Sequence, residues 1–128
     1  MVKLKSVLII DNDETSNFIM QFVLRATGGF DVLETVKDGK EACDYFLKNR
    51  DQLPELVFLD LYMPGLDGQG FLQWYEDNGF KGSSKIVVIS SSIMVEDKEK
   101  VMGYVDVIDF VDKPLTKETV NKILSTFE

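Results

Sequence analysis

The sequence predicts an α/β fold in which a parallel sheet is covered by helices on both faces. Short apolar runs alternate five times with longer segments of helical periodicity along the 128 residues. This alternation is typical of βα units joined by right-handed crossovers. Apolar residues make up 45% of the chain, and a chain of this length buries enough surface to fold without a disulfide or a structural metal. The length therefore predicts one domain.

The first βα unit combines an apolar strand at Val7–Ile10 with a helix at about Glu14–Ala26. The strand ends abruptly at Asp11. We expect Asp13 to be the N-cap of the helix and Gly28-Gly29 to end it. Apolar residues at helical spacing predict a stripe of the kind that faces a core, formed by Phe18, Ile19, Phe22, Val23 and Ala26.

The second unit begins with a strand at about Asp31–Val36. Asp38 with Glu41 three residues later resembles a capping box, which predicts that a helix begins there. We expect this helix to bury three residues, Ala42, Tyr45 and Phe46.

The third unit begins with Leu56–Leu59, an uninterrupted apolar run that is typical of a strand buried on both faces. This strand ends at Asp60. After a turn at Met63-Pro64-Gly65, a helix is predicted from about Gly68, and Asn78-Gly79 ends it.

The last two units follow the same pattern. A strand at Ile86–Ile89 ends in Ser90–Ser92, and a more polar helix is predicted at about Val95–Gly103. The fifth strand is predicted at Val107–Val111, where Lys113-Pro114 ends it. The last helix shows apolar residues at positions i, i+3, i+4 and i+7, which are Val120, Ile123, Leu124 and Phe127.

Charge and composition exclude several classes of function. The chain has 14 Lys and Arg against 22 Asp and Glu, which argues against a basic surface for direct DNA binding. Histidine is absent, which excludes His-ligated zinc and Ser–His or Cys–His nucleophile pairs. Cys43 is the single cysteine, so an internal disulfide is excluded and a reducing compartment is favoured. The apolar run before Asp11 is too short for a signal peptide or a membrane span, so we expect a cytoplasmic protein.

Polar residues follow the strands at the points where they end. Asp11 and Asn12 follow the first strand, Asp60 the third, Ser90 the fourth, and Lys113 lies just beyond the fifth. The carboxyl ends of parallel strands meet at one edge of the sheet, where ligands bind in such folds. The sequence therefore predicts a polar functional site at that edge.

Four segments at the strand ends resemble the receiver domain of two-component response regulators. In chain order they are Leu8–Glu14, Leu59–Gly68, Ile89–Ser92 and Phe110–Leu115. The resemblance implies a flavodoxin-like (βα)5 three-layer sandwich with a five-stranded parallel sheet in the order 2-1-3-4-5. It also implies that residues 1–128 form a single receiver domain. Such a domain is a signalling switch, not an enzyme with a separate substrate, because it catalyses only its own phosphoryl transfer and dephosphorylation.

By this resemblance, Asp60 is the phosphoacceptor and takes a phosphoryl group from the phosphohistidine of a sensor histidine kinase or a phosphotransfer protein. The implied cofactor is Mg²⁺, held by Asp11, Asn12, Asp60 and the backbone carbonyl of Tyr62. Donor and acceptor are both anionic, and a divalent cation between the carboxylates offsets the developing charge. Mg²⁺ suits one or two carboxylates together with waters and phosphate oxygens.

Other residues are implied to act on the phosphoryl group. Lys113 supplies a fixed positive charge for its oxygens, and the Ser90 hydroxyl donates a hydrogen bond to one of them. Tyr62 and Ser92 lie where family members vary, beside the path of the hydrolytic water. We expect a bulky Tyr62 to slow or redirect the access of water to the aspartyl phosphate.

The resemblance also implies a switch formed by Ser90 and Phe110. Ser90 moves toward the phosphate and leaves room for the Phe110 ring to turn inward. The face formed by the fourth helix, the fifth strand and the fifth helix then changes shape, and a downstream protein target binds it. A phosphorylation-dependent homodimer through the same face is compatible with this scheme.

Asn12 departs from the family pattern, in which a second acidic residue is usual. Its amide oxygen is still a ligand for a metal or a bound water, but one negative charge is lost. We therefore predict weaker Mg²⁺ binding than in a typical receiver. Asn12 also leaves open a second hypothesis, a receiver-like module that binds a partner without being phosphorylated, although intact Asp60, Ser90 and Lys113 argue against it.

A third hypothesis is a small phosphatase. Asp11–Thr15 resembles the Asp-x-Asp-x-Thr motif of the haloacid dehalogenase family, with Asp11 as the nucleophile and Asp13 as the acid/base. Against this, the acidic pair that the family needs after its lysine is missing beyond Lys113, and the motif around Asp60 is left unexplained. The identity of the phosphorylated aspartate distinguishes the two families.

Overall fold

The structure, a computed structural model, describes residues 3–91 and 94–127. Ser92, expected beside the path of the hydrolytic water, lies outside the described residues. The strands of the described chain are β1 (Leu4–Ile10), β2 (Phe30–Val36), β3 (Leu56–Asp60), β4 (Lys85–Ser90) and β5 (Val107–Asp112). Its helices are α1 (Glu14–Thr27), α2 (Gly39–Lys48), α3 (Gly68–Asp77), α4 (Val95–Met102) and α5 (Lys117–Ser125).

The strands form one parallel sheet in the order β2-β1-β3-β4-β5. This confirms the predicted fold class and strand order. All five residues of the central strand β3 are buried, and they alternate between the two faces of the sheet. Val57 and Leu59 pack with one helix layer, whereas Leu56 and Phe58 pack with the other, as the period of a strand requires.

Helices cover both faces of this sheet and create two separate cores. One core contains buried residues of α2, α3 and α4, namely Ala42, Cys43, Phe46, Phe71, Leu72, Tyr75 and Val101. The other contains buried residues of α1 and α5, namely Met20, Leu24, Val120 and Ile123. The prediction for α2 is correct for Ala42 and Phe46 but wrong for Tyr45, which is half-buried.

The face that α1 turns toward the sheet differs from the predicted stripe. The exposed members of that stripe are Phe18, Ile19, Phe22 and Ala26. Met20 and Leu24, one turn apart, are buried against the sheet instead, and Val23 is half-buried. The prediction was wrong because α1 carries apolar residues around most of its circumference, so periodicity alone does not select the buried face. Phe18 is 68% exposed and Phe22 is 66% exposed.

Several element boundaries differ from the sequence prediction, and those of β1 and α5 differ most. β1 begins at Leu4 rather than Val7, because Leu4 is buried and pairs with Phe30 of β2. α5 ends at Ser125, so Phe127 lies beyond the helix. Its half-buried ring still packs against the α1–α5 core, and the Lys85 ammonium lies 4.7 Å from the ring centroid.

The predicted N-caps of α1 and α2 and the predicted end of α1 are confirmed. The Asp13 carboxylate accepts hydrogen bonds from the first turn of α1, and the Asp38 carboxylate accepts one from the Glu41 N–H. Gly28 ends α1 with a φ of 73°, in the left-handed region that glycine adopts without steric cost. No helix in the described ranges, 3–91 and 94–127, is long and apolar enough to cross a membrane.

Candidate functional site

Three of the predicted site residues meet at the carboxyl edge of the sheet. Asp11 directly follows β1, Asp60 is the last residue of β3, and Lys113 directly follows β5. The Lys113 Nζ atom lies 3.0 Å from Asp11 Oδ2 and 3.6 Å from Asp60 Oδ2. The Asp11 side chain is fully buried and that of Asp60 is 9% exposed. The structure thus places two carboxylates and one ammonium together, as the strand ends predict.

Hydrogen bonds fix the Asp11 carboxylate from two sides. The backbone N–H of Asp13 donates to Oδ1 at 2.9 Å, and the Ser16 hydroxyl donates to Oδ2 at 2.7 Å. The Oδ2 atom also receives the ion pair from Lys113. Asp11 is therefore more fully engaged by donors than Asp60.

The Asp60 carboxyl is held in a state that resists ionisation. Burial raises its pKa to about 6; the Lys113 ammonium opposes this shift, whereas the nearby Asp11 carboxylate adds to it. The backbone N–H of Tyr62 also donates to the Asp60 carboxylate and favours its charged form. Two acidic groups beside one lysine leave a surplus of negative charge. A cation at this edge would relieve it.

Ser90, the last residue of β4, is buried at the same edge. The backbone N–H of Lys113 donates to the Ser90 carbonyl at 2.8 Å, which extends the pairing of β4 and β5 by one residue. This bond fixes the backbone from which the Lys113 side chain reaches the two carboxylates.

Tyr62 lies in the loop that follows Asp60, and its side chain is 46% exposed. Its hydroxyl donates a hydrogen bond to the Asp97 carboxylate in the first turn of α4. This hydrogen bond raises the pKa of the Tyr62 phenol. The phenol therefore joins the loop after β3 to α4.

Two glycines shape the same loop. Gly65 has a φ of 75°, a conformation that other residues adopt only at a cost. A Cβ atom on Gly68 would lie 2.6 Å from the Asp60 carbonyl oxygen and 2.8 Å from the Leu61 Cα atom. The first turn of α3 therefore packs directly on the backbone that carries Asp60, at a distance that only glycine permits.

Asn12 and Phe110 flank the site without entering the ion pairs described above. The Asn12 side chain is exposed next to Asp11. The Phe110 ring is half-buried on β5 and packs against the core beneath α2, α3 and α4. Its position on an edge strand is compatible with the predicted switch residue.

The donor set fits a magnesium ion better than a transition metal. Among the described residues, no group of three or more His, Cys, Asp and Glu side chains that could hold a metal ion is present. The structure brings two carboxylates together at this edge, and the Tyr62 carbonyl and the Asn12 amide oxygen are the other predicted ligands. Such a set of a few oxygen donors suits Mg²⁺, which retains several waters.

Sequence reasoning missed two residues that contact the site. Ser16 hydrogen-bonds Asp11, and Asp97 hydrogen-bonds Tyr62. Ser16 could have been found, because a helix capped by Asp13 turns its third residue back toward the strand end. Asp97 gave no such signal, since its contact depends on how α4 packs beside the loop.

Comparison with known proteins decides the family. A family model described as the response regulator receiver domain matches residues 7–125. The chain belongs to this family. The match covers β1 to α5, so it includes every predicted site residue of this receiver domain.

Individual relatives agree with this assignment. The two-component response regulator ORR41 of Oryza sativa subsp. japonica is 29% identical over 127 residues, which cover 98% of this chain and 95% of that protein. A two-component response regulator from Cytophaga hutchinsonii has a crystal structure that is 26% identical, with a TM-score of 0.91 and coverage of 97% of this chain and 96% of that chain. The chemotaxis protein CheY4 of Vibrio cholerae, at 23% identity and a TM-score of 0.78 over 96% of this chain and 98% of that chain, shares the fold.

Some relatives are much longer than this chain. The probable C4-dicarboxylate response regulator DctR of Priestia megaterium is 26% identical over 122 residues, which are 95% of this chain but 51% of that protein. The chain spans about half the length of such relatives. The receiver family also argues against the phosphatase hypothesis, because the match accounts for the motif around Asp60 that the phosphatase reading left unexplained.

Proposed function

We propose that this receiver domain is a phosphorylation-dependent switch in which Asp60 accepts a phosphoryl group from the phosphohistidine of a sensor histidine kinase or a phosphotransfer protein. The observation that carries the proposal is the pairing of Asp60 with Asp11 around the Lys113 ammonium at the sheet edge. Of the two acids, Asp60 is the one with an exposed fraction and fewer fixed donors. It is therefore the better nucleophile for an incoming donor.

In the proposed step, an Asp60 carboxylate oxygen attacks the phosphorus atom of the donor. The new O–P bond forms as the N–P bond to the donor imidazole breaks, and the imidazole leaves with the electron pair. Lys113 exchanges part of its ion pair with the carboxylates for the phosphoryl oxygens, and Ser90 donates a hydrogen bond to one of them. Mg²⁺, held by Asp11, Asp60, the Tyr62 carbonyl and Asn12 directly or through water, would supply charge that offsets the two anions.

The proposed output is a change in the face formed by α4, β5 and α5. Ser90 lies on β4, and the half-buried Phe110 lies on the neighbouring strand β5, where it pairs with Val88, two residues before Ser90. We expect a shift of Ser90 to reach Phe110 across this pairing. This face carries exposed apolar side chains, among them Val95 and Met102 of α4. A downstream protein target would bind it after the switch, and a phosphorylation-dependent homodimer would use the same face. Size-exclusion chromatography of the phosphorylated chain separates these two outcomes.

The exposed apolar residues of α1 suit the surface that meets the phosphoryl donor. Phe18, Ile19 and Phe22 lie on the helix that begins beside Asp11. Ile19 also lines a groove of about 290 Å³ that extends to Lys113 and Leu115. A donor histidine must approach Asp60 closely, so its carrier has to contact a surface that adjoins the site. An apolar patch there would give a helical kinase or phosphotransfer domain its contact area.

We place this signalling in the cytoplasm and assign residues 1–128 to a single receiver domain. The Cys43 thiol is buried, and burial raises its pKa to about 11. A thiol in this state is structural and unreactive, as expected of a protein in a reducing compartment.

The intact mass of the protein after incubation with acetyl phosphate tests the phosphoacceptor. We expect the parent to gain one phosphoryl group only when Mg²⁺ is present, and Asp60→Asn to gain none. Asp44→Asn is the matched control, because Asp44 is exposed on α2 and its change removes the same charge.

Other results of that experiment would reject the proposal. No gain by the parent from acetyl phosphate or from a phosphorylated histidine donor, at any Mg²⁺ concentration, would favour the phosphorylation-independent binding module. A phosphoryl group that persists on Asp60→Asn and maps to Asp11 would revive the phosphatase reading.

A second experiment tests the α1 surface. Phe22→Ser should slow phosphoryl transfer from a phosphorylated kinase or phosphotransfer protein while leaving transfer from acetyl phosphate unchanged. The small donor serves as an internal control for the integrity of the site. Val105→Ser is the matched control, because Val105 is 68% exposed and lies between α4 and β5, away from α1. An equal effect of both variants on protein donors would contradict the assignment of the donor surface to α1.

A further inference from the structure

Ser16 is placed by the start of α1. The Asp13 carboxylate accepts the backbone N–H groups of Thr15 and Ser16 at 2.9 Å and 3.4 Å, which fixes the first turn of the helix. In that turn the Ser16 hydroxyl lies 2.7 Å from Asp11 Oδ2 and donates to it. Its neighbour Thr15 also carries a hydroxyl but is exposed.

The Asp11 carboxylate has two kinds of partner: donors that stay in place during the proposed phosphoryl transfer, and one that moves. The Asp13 N–H and the Ser16 hydroxyl belong to the hydrogen-bonded junction of β1 and α1. Lys113 is held on Asp11 by an ion pair at 3.0 Å, but the same ammonium is the group proposed to turn toward the phosphoryl oxygens. When Lys113 leaves, Ser16 is the remaining side-chain donor to Oδ2 among these partners.

We propose that Ser16 is a positioning residue for the metal site: its hydroxyl holds the Asp11 carboxylate in the orientation that binds Mg²⁺. This inference rests on the proposed function. Hydrogen-bond partners that orient a metal ligand change metal affinity by about 10- to 100-fold when they are removed. The contribution matters more here because Asn12 supplies no charge, so affinity depends on how well the two carboxylates are preorganised.

The test is the Mg²⁺ affinity of the whole chain, measured by following backbone amide signals of Leu61 and Tyr62 in an NMR titration. Ser16→Ala should weaken Mg²⁺ binding by about tenfold. Ser16→Thr keeps the hydroxyl and should recover most of the affinity. Thr15→Ala removes a hydroxyl from the same helical turn and should leave the affinity unchanged.

A merely structural role would give a different pattern. It would lower the unfolding temperature of Ser16→Ala in EDTA while leaving Mg²⁺ affinity at the parental value, and that result would overturn the proposal. An equal loss of affinity in Ser16→Ala and Ser16→Thr would overturn it as well. If the parent itself binds no Mg²⁺, the metal site of the proposed function fails and the role of Ser16 fails with it, which is a distinguishable outcome.

Discussion

Two polar clusters lie at opposite ends of the same sheet, and they balance their charges differently. The carboxyl-end cluster consists of Asp11, Asp60 and Lys113. The amino-end cluster consists of Tyr75, Gly82, Ser84 and Asp106. Both include buried groups, and both join residues that are distant in sequence. Each carries a formal net charge of −1, but only the first brings two carboxylates together around one ammonium.

The amino-end cluster is closed, since each acceptor has its donors. The Tyr75 hydroxyl donates to the Asp106 carboxylate, and the Gly82 N–H donates to the same carboxylate at 2.7 Å. The Ser84 N–H donates to the Tyr75 oxygen at 3.1 Å. Burial and the Asp106 contact raise the pKa of Tyr75, so the phenol remains a donor at neutral pH. This arrangement ties α3 to the start of β5 and stabilises the fold.

The carboxyl-end cluster is open, meaning that one of its negative charges is neutralised only when a cation binds. Two carboxylates share one ammonium, and burial raises the pKa of Asp60 to about 6. The comparison teaches that buried polar groups serve stability where hydrogen-bond donors surround a single carboxylate, and serve binding where two neighbouring carboxylates share one cation. Substitutions in the two clusters should therefore change stability in opposite directions.

The largest expected effect is at the amino end. Asp106→Ala removes the acceptor of the Tyr75 hydroxyl and the Gly82 N–H, and should lower the free energy of unfolding by about 3 kcal/mol. Urea unfolding followed by Trp74 fluorescence measures this change, with Asp44→Ala as the exposed control. Well below the unfolding temperature, phosphorylation by acetyl phosphate should be retained. A loss of less than about 0.5 kcal/mol, the value of an ordinary surface substitution, would contradict the structural role of this cluster.

A smaller effect of opposite sign is expected from Asp60→Asn. Asn keeps the shape of the side chain but removes a charge that burial disfavours, so the variant should be more stable than the parent by about 2 kcal/mol at pH 7 in EDTA. Urea unfolding of both proteins measures the difference. A less stable Asp60→Asn would show that the site is balanced without any added ligand.

The gain from Asp60→Asn should depend on pH. The folded chain binds the Asp60 proton more tightly than the unfolded chain does, because the pKa is about 6 in the fold and 3.8 in its absence. Asp60 therefore lowers the stability of the parent as the pH rises from about 4 to about 6, and the variant lacks this contribution. Below about pH 4 the two proteins should have converged. A gain that persists at low pH would assign the effect to packing and not to charge.

Adding a negative charge to the carboxyl-end cluster should increase the difference between the two clusters. Asn12→Asp restores a second acid beside Asp11 and should raise Mg²⁺ affinity by about tenfold, because affinity at such sites follows the charge of the ligands. In EDTA the same variant should be slightly less stable than the parent. NMR titration measures the affinity, and Asn121→Asp on α5, exposed and of identical charge change, is the control. Equal affinity of Asn12→Asp and the parent would show that residue 12 takes no part in the site.

The smallest effect concerns the contact between Tyr62 and Asp97. Tyr62→Ala should accelerate loss of the phosphoryl group, because it removes the ring expected to hinder water. Tyr62→Phe and Asp97→Ala keep the ring and remove its hydrogen bond, so each should accelerate loss by about threefold, and the double variant by no more. Glu96→Ala is the control on the same turn of α4. Parental rates in Tyr62→Ala would rule out shielding by the ring.

The sheet and its functional edge could be predicted because both follow from local sequence. Apolar runs such as Leu56–Leu59 are too short and too uniformly apolar for surface helices, and parallel pairing aligns their ends. The polar residue after each run, Asp11, Asp60 or Lys113, is then brought to one edge by topology alone. The structure places all three within ion-pair distance.

The orientation of α1 and the contacts of side chains could not be predicted in the same way. Met20 and Leu24 are no more apolar than Phe18 and Phe22, so the choice of buried face depends on the fit of the helix to the sheet. The hydrogen bond from Tyr62 to Asp97 spans 35 positions of sequence. Neither the buried face of α1 nor this hydrogen bond is indicated by the spacing of residues in the sequence.

Gly68 has no side chain that could react, yet Gly68→Ala should reduce phosphorylation about as strongly as replacement of Asp60. A methyl group at this position meets the Asp60 carbonyl oxygen and the Leu61 Cα atom, so α3 would have to retreat from the loop and shift the phosphoacceptor. The unfolding temperature distinguishes the two residues, since Gly68→Ala should unfold at a lower temperature than the parent and Asp60→Asn at a higher one. Tolerance to substitution in this domain is thus set by backbone clearance as well as by chemistry.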